Sequence, residues 1–393
     1  MNTLTLSLTG RIDANNAPKV EAEIADTLAK NPGAVPVFDA SGLEYISSAG
    51  LRVLLKFRKQ FGKNLDVIDV SGDVFDIFSV TGFTELLNVR KRLREISLDG
   101  CPAIGGGAFS TVYRLDPETI VKVFDKHAAA LAEVERDRNI SHKVFMHDIP
   151  TASAYDVVKA GGHYGLVYEM IDADSLSGTL AEHHERLEDL SIKAARLLKQ
   201  LHSTEFEPGT FPDARDKLHM MAQKIFAQTL INEQDKAVID GVIDRIPYRN
   251  TFIHTDFHSK NLLVLNDELI LIDVGDAGLS HPIIDLLISC FHFGGMPENI
   301  LEKFSDIHQR IIGLDYKTLK AMWRVILREY FGTSDKDTLA RYEDVMENYA
   351  AIMLLYVLSI IAKGAGIDLS GYSAQIMAHF RETADTLTPI DNI

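Results

Sequence analysis

Cysteine is nearly absent: the 393 residues hold two, Cys101 and Cys290. Two residues so far apart exclude a disulfide framework, and they cannot make a four-ligand zinc site without histidine help. Apolar runs are short as well. The longest, Tyr349 to Ala362, has 14 residues, against roughly 20 for a bilayer span, and reads as a buried helix. The opening segment MNTLTLSLTGRID alternates apolar and polar residues with no basic stretch ahead of an apolar block, so it reads as a strand rather than a signal peptide. The expected setting is the cytoplasm, with no membrane partner. Excess positive charge is missing too. Net charge is −16, and Met1 to Leu98 hold 12 Lys and Arg against 12 Asp and Glu, so all of the excess falls on residues 99–393. Such a surface repels nucleic acid and attracts or tolerates cations.

A hydrophobic content of 46% and a charged content of 24% are ordinary for packed domains. Residues 1–92 alternate strand and helix. Thr3–Leu8 has period two; Ala14–Ala29 has helical spacing behind Asp13 as a cap; Ala34–Asp39, Leu65–Val70 and Glu85–Val89 read as strands; Ser48–Phe61 and Val74–Val80 read as helices. This pattern predicts an α/β sandwich. Residues 93–173 are β-rich, with strands at Arg94–Leu98, Val112–Leu115, Thr119–Phe124, Ala154–Val158 and Tyr164–Met170 and one helix at Ala128–Lys143. Residues 174–393 are helical apart from Leu262–Leu265 and Leu269–Ile272. A small β-rich lobe before a large helical lobe outlines an α+β bilobal kinase-like fold.

Motifs sharpen that outline. His254-Thr-Asp256-Phe-His258-Ser-Lys-Asn261 has the spacing of a kinase catalytic loop. Phosphoryl transfer needs a carboxylate to orient the acceptor hydroxyl and take its proton, a role for Asp256, and an oxygen ligand for Mg²⁺, a role for Asn261. Twelve residues on, the apolar run Leu269–Ile272 ends in Asp273-Val-Gly275. Asp273 is thus placed as the second metal ligand, bridging the cation to the β- and γ-phosphates. Upstream, Gly105-Gly-Gly107-Ala-Phe-Ser110 fills the slot of a phosphate-binding loop in which Ser110 replaces the third glycine. Fifteen residues beyond Gly107, Lys122 sits inside an apolar strand, where it needs an anion; the α- and β-phosphates of ATP and Glu135 on the next helix would supply one. His254 and His258 read as structural loop residues rather than metal ligands.

Through IHTDFHSKN, LILIDVGDAG and LLKQLHS, the chain from about residue 94 onward resembles the aminoglycoside phosphotransferase and choline kinase-like family. The resemblance implies ATP and Mg²⁺ between two lobes, Asp256 as catalytic aspartate, Asn261 and Asp273 as metal ligands, and a hinge at Glu169–Asp172. There Glu169 and Ile171 would offer backbone groups to adenine. It also marks Asp285 in PIIDL as a buried structural aspartate, and His202 in LLKQLHS as a residue packed near the catalytic loop. Only eleven residues separate Asp273 from Asp285, which suits a small-molecule acceptor without excluding a protein.

The segment Phe38-Asp39-Ala-Ser41-Gly-Leu43-Glu-Tyr-Ile-Ser47-Ser48-Ala49-Gly50-Leu51 resembles the STAS family of anti-sigma factor antagonists over residues 1 to about 90. In phosphorylated members a serine follows an aspartate. Here Ser48 is the candidate phosphoacceptor and Ser47 replaces the aspartate, while a helix cap is the plainer role for either serine. Three functions stay open: a small-molecule kinase controlled by the STAS domain, a protein kinase acting on Ser48 in a partner switch, and a nucleotide-sensing binding protein. The intact set Lys122, Asp256, Asn261 and Asp273 favours an enzyme. The expected partners are a small-molecule acceptor or an anti-sigma-like protein.

Overall fold

The computed structural model describes residues 3–107, 109–127, 129–296, 309, 312–365 and 368–390. The chain divides into two compact units, Met1–Ser97 with Val157–Gly162, and Leu98–Asp156 with His163–Ile393.

The first unit runs β1 (Thr3–Ile12), α1 (Ala17–Ala29), β2 (Val35–Ile46), α2 (Ser48–Phe61), β3 (Asp66–Val70), α3 (Gly72–Val80), α4 (Phe83–Leu86) and β4 (Asn88–Lys91). The strands form one parallel sheet in the order β1-β2-β3-β4, which requires the helical crossovers between them. Phe38, Ile46, Leu54, Leu65 and Phe78 fill its core. Three sequence expectations shift. The first helix starts at Ala17, not Ala14: the Asp13 amide donates to Asn16 Oδ1, and the Asn15 amide to Asp13 Oδ1, so Asp13 holds a turn and Asn16 precedes the helix. The second strand does not end at Asp39, because β2 continues beside β1 to Ile46 through two irregularities in register. Glu85 belongs to a helical turn that follows Gly82 in the left-handed conformation, and the strand begins only at Asn88. After β4, the short strand β5 (Arg94–Ile96) pairs in parallel with Val158–Ala160.

In the second unit, β6 (Ala103–Gly106), β7 (Thr111–Arg114) and β8 (Thr119–Val123) precede α5 (Leu131–Phe145). Strand β9 (Ala154–Ala160), which passes into the first unit at Val157, is followed by β10 (His163–Glu169). Antiparallel pairing gives the run β10-β8-β7-β6. The rest is helical: α6 (Leu176–Glu182), α7 (Leu187–Ser203), α8 (Arg215–Ala227), α9 (Glu233–Asp244), α10 (Ile283–His292), α11 (Tyr316–Phe331), α12 (Lys336–Ala365) and α13 (Ser370–Ala384). Between α9 and α10 lie two small antiparallel pairs, β11 (Phe252–Ile253) with β14 (Gly278–Leu279) and β12 (Leu262–Leu265) with β13 (Glu268–Leu271). The architecture is an α/β sandwich followed by a kinase-like fold with a small β-rich lobe and a large helical lobe. Trp323, Tyr349, Phe252, Phe257, Phe293 and Phe380 are fully buried in the helical core. The apolar run from Tyr349 belongs to a 30-residue helix, longer than the run alone indicates. It is long and apolar enough to cross a membrane, but 56% of its most apolar stretch is buried inside the protein, as in a core helix.

Candidate active site

Strand β8 alternates, so Val121 and Val123 point into the core while Lys122 points away from it. The Lys122 ammonium lies 2.6 Å from Asp273 Oδ1 and 3.3 Å from Asp137 Oδ2. Burial works against its charge, but Asp273 and Asp137 outweigh burial and hold its pKa well above the ordinary lysine value. The helix carboxylate that reaches Lys122 is Asp137 and not Glu135. Helix periodicity explains the correction. Val134, Asp137, Ser141 and Val144 share the inward face of α5, whereas Glu135 is exposed. Glu135 instead lines a cavity of about 460 Å³ with Arg136, Asn139 and Lys143. Asp137 is fixed by Tyr168, whose hydroxyl donates to Asp137 Oδ1 at 2.9 Å. It packs directly on Gly275, where a Cβ would stand 2.1 Å from Asp137 Oδ1.

The catalytic-loop segment is tied to α10 from beneath. Asp285, fully buried, accepts from the His254 amide at 2.8 Å and the Thr255 amide at 2.6 Å. One helical turn on, Ser289 Oγ donates to the Phe257 carbonyl. His202 reaches the same carboxylate with Nε2 at 3.2 Å, and its Nδ1 meets the Tyr330 hydroxyl at 2.6 Å. The buried reading of Asp285 and the placement of His202 near the loop both agree with this geometry. Thr255 is thereby held at φ +68°, a left-handed conformation that a β-branched residue avoids. His254 is structural: its Nδ1 accepts from the Asp256 amide and its Nε2 faces the Ile272 carbonyl. Burial lowers its pKa, consistent with a neutral ring carrying its proton on Nε2.

The Asp256 side chain is partly exposed. Burial alone would raise its pKa; His258, with Nε2 3.6 Å from Oδ2, together with the charges of Lys217 and His292, drives it far below the ordinary carboxylate range. Asn261 Nδ2 donates to both the Asp256 carbonyl at 3.0 Å and Oδ2 at 3.2 Å. The Asn261 carbonyl accepts from the Ile272 amide at 2.9 Å, which ties Asn261 to the residue before Asp273. Asp273 itself is half-exposed and sits at φ +61°. The Lys122 charge lowers its pKa and the nearby Asp256 charge raises it, with a net lowering. The donor set, an amide oxygen and an ionised carboxylate, fits a hard cation such as Mg²⁺. Among the described residues, no group of three or more His, Cys, Asp or Glu side chains could hold a metal by itself. Such a cation would therefore take further ligands from phosphate and water.

The glycine-rich segment closes on itself. The Gly107 amide donates to the Ser110 carbonyl at 3.0 Å, and Lys126 donates to the Gly107 carbonyl at 2.8 Å. Of the three glycines, Gly106 is the one whose Cβ would collide, at 2.7 Å from the Ser110 carbonyl; Gly105 and Gly107 have open space. Ser110 is buried, and residue 108 lies outside the described residues. At the hinge, the Glu169 amide is used by the Ser153 carbonyl and the Ile171 carbonyl by the Ala173 amide. In the first unit, Ser47 caps α2, its Oγ accepting from the Ala49 and Gly50 amides. Ser48 follows as the first helical residue and is exposed. The structure thus brings Lys122, Asp273, Asp256 and Asn261 into one linked set and adds Asp137, Gly106 and Lys217, which motif reading did not single out. Two of these carry a signal in the sequence: Asp137 and Lys217 are charged residues at positions where the helical period calls for apolar ones.

The model of the phosphotransferase enzyme family matches residues 100–310, and the STAS domain model matches residues 1–89. The N-terminal part is 36% identical over 89 residues to BtrV of Bordetella bronchiseptica, described as an anti-sigma factor antagonist; the match spans 22% of this chain and 76% of that one. Similar solved structures include an ADP-bound aminoglycoside phosphotransferase (15% identity, TM-score 0.46, 74% of this chain and 94% of that one). A choline/ethanolamine kinase family protein from Mesorhizobium loti aligns with 15% identity and a TM-score of 0.45, over 74% of this chain and 88% of that one.

Proposed function

Because the chain belongs to the phosphotransferase enzyme family and its first 89 residues form a STAS domain, we propose that its second unit transfers the γ-phosphoryl group of ATP to a small hydroxylated acceptor under control of the STAS domain. The observation that carries this reading is the linked set Lys122–Asp273 and Asn261–Asp256. In this reading Lys122 meets the α- and β-phosphates, the Gly105–Ser110 segment covers them, and the hinge near Glu169 and Ile171 receives adenine. Asn261 and Asp273 would hold Mg²⁺, which supplies charge neutralisation for the phosphates. Asp256 orients the acceptor hydroxyl. The acceptor oxygen bonds to the γ-phosphorus as the bond to the β–γ bridging oxygen breaks, its electron pair leaves with ADP, and the acceptor proton passes to Asp256.

A small acceptor is favoured over a peptide by the brevity of the chain after Asp273. A short 3₁₀ turn (Val274–Asp276) leads at once into the two-residue β14 and then α10, with no extended segment to dock a peptide. The −16 net charge of residues 99–393 favours a cationic acceptor such as a hydroxylated amine. The second reading, phosphorylation of Ser48, draws on its exposed position at the start of α2. Incubation of the full chain with Mg-ATP and a panel of hydroxylated amines, followed by intact mass spectrometry and ATP-turnover assay, separates the two. Turnover stimulated by an amine, lost by about a hundredfold in Asp256→Asn with Mg-ATP affinity kept, supports the first. A phosphate on Ser48 without such turnover moves the assignment to the second.

A further inference from the structure

A lysine outside the motifs enters the site from α8. Lys217 lies on the inward side of that helix, three residues after buried Ala214 and four before buried Met221, where the period calls for an apolar side chain. Its ammonium donates to Thr255 Oγ1 at 3.1 Å and to Asp276 Oδ2 at 3.1 Å. Thr255 Oγ1 in turn donates to the Asp276 carbonyl at 3.1 Å. The lysine side chain is 18% exposed, and its carboxylate partner 62% exposed. Burial opposes its charge, yet Asp276, Asp256 and Asp273 together keep its pKa raised and the amine protonated. Thr255 immediately precedes Asp256, and Asp276 lies three residues past Asp273, so Lys217 bridges the two loops that carry the catalytic and metal-binding carboxylates.

We propose that Lys217 is a further catalytic residue, whose ammonium contacts the phosphoryl group while it passes from ATP to the acceptor. This rests on the phosphotransferase reading above. Lys122, already engaged by two carboxylates, serves in that reading the phosphates that stay with ADP. Lys217 is engaged by one largely exposed carboxylate and one hydroxyl, leaving an N–H for an incoming anion. Its position beside Asp256 is where the equatorial oxygens of the migrating group collect charge, and a preformed cation there lowers the barrier by acting on the transition state more than on bound ATP. A tether of α8 to the catalytic loop is the competing role, and it makes different demands.

The test uses the full chain with Mg-ADP, with and without tetrafluoroaluminate as a mimic of the phosphoryl group in flight, read by calorimetry, alongside ATP turnover. The wild type is expected to bind Mg-ADP about tenfold or more tightly when tetrafluoroaluminate is present. Lys217→Met should bind Mg-ADP within about twofold of wild type, lose that tightening, and lose turnover by about a hundredfold, the scale of one transition-state donor. Lys217→Arg should recover part of both. Asp276→Asn removes the exposed anchor and leaves the ammonium, so it should keep the tightening. If Lys217→Met tightens like the wild type, or if Asp276→Asn and Lys217→Met lose melting temperature and tightening together, Lys217 is a tether and the proposal falls. A wild type that binds Mg-ADP without any tightening also overturns it. A wild type that does not bind Mg-ADP overturns instead the phosphotransferase reading beneath it.

Discussion

Replacing Asp285 by alanine tests the support under the loop that carries Asp256. The carboxylate is fully buried and accepts two backbone N–H groups, at 2.8 and 2.6 Å, as well as His202 Nε2 at 3.2 Å. Alanine leaves two buried amide donors and the Nε2 of the buried His202 ring with nothing to bond. Each stranded donor costs about 1–3 kcal/mol, and water entering the small vacated space recovers part of that, so a loss of about 4 kcal/mol is expected. For a unit of this size 1 kcal/mol moves the melting temperature by about 2–4 °C, which places the shift near 8–16 °C. Differential scanning calorimetry of the full chain reads it, with the unfolding of the second unit as the affected transition. The loop also loses the bond that holds Thr255 at φ +68°, so turnover should fall even well below the new melting temperature. A melting shift under about 2 °C would refute the view that Asp285 carries the loop, since it would mean that the two amides find other partners.

Gly275→Ala should displace Asp137, because its Cβ would stand 2.1 Å from Asp137 Oδ1; a stability loss of about 2 kcal/mol and weaker Mg-ATP binding are expected, both readable by calorimetry. Asp273→Ala should abolish the magnesium dependence of nucleotide binding, and a magnesium dependence equal to that of the wild type would contradict the assignment. Ser48→Asp places a negative charge at the exposed first residue of α2, where the helix dipole stabilises it by about 0.3–1 kcal/mol. It should raise the stability of the first unit slightly and change what that face binds in pull-downs, while Ser48→Ala behaves as wild type.

Much of the fold was legible because its periods are strong. Helix Ser48–Phe61 matches the apolar spacing to the residue, with Ser47 as its cap, and the hairpin of Leu262–Leu265 with Glu268–Leu271 lies where two apolar runs flank Asn266-Asp267. Boundaries failed where polar residues do local work that period cannot show. Asn16 Oδ1 accepts from the Asp13 amide and Asp13 Oδ1 from the Asn15 amide, which delays the first helix by a turn, and β2 continues through Gly42 and Glu44 because pairing with β1 overrides the weak strand preference of those residues. At the site, the motifs point to Asp256, Asn261, Asp273 and Lys122, but motif spacing alone does not show which carboxylate of α5 reaches Lys122, and it is Asp137, not Glu135. The helical period would have chosen better, since Val134 and Val144 put Asp137 on their face and Glu135 off it.

The residues that motif reading passed over share one property with a residue it found. Asp137 and Lys217, like Asp285, each interrupt an inward-facing apolar stripe, on α5, α8 and α10 respectively. A charge in such a place is costly unless something pairs with it, so its presence predicts a partner elsewhere in the chain. The partners are strand β8 and the loops of the site: Asp137 meets Lys122 and Gly275, Lys217 meets Thr255 and Asp276, and Asp285 meets the amides of His254 and Thr255. Two of those loops carry non-glycine residues at positive φ, Thr255 and Asp273, conformations that cost about 1–3 kcal/mol each and persist only where neighbours over-determine them. The interrupted stripes therefore supply the constraint that the strained loops require. Helix packing and site geometry are thus two aspects of one requirement: charges buried on three helices find their partners only when the loops around Asp256 and Asp273 adopt the backbone that holds Thr255 and Asp273 at positive φ.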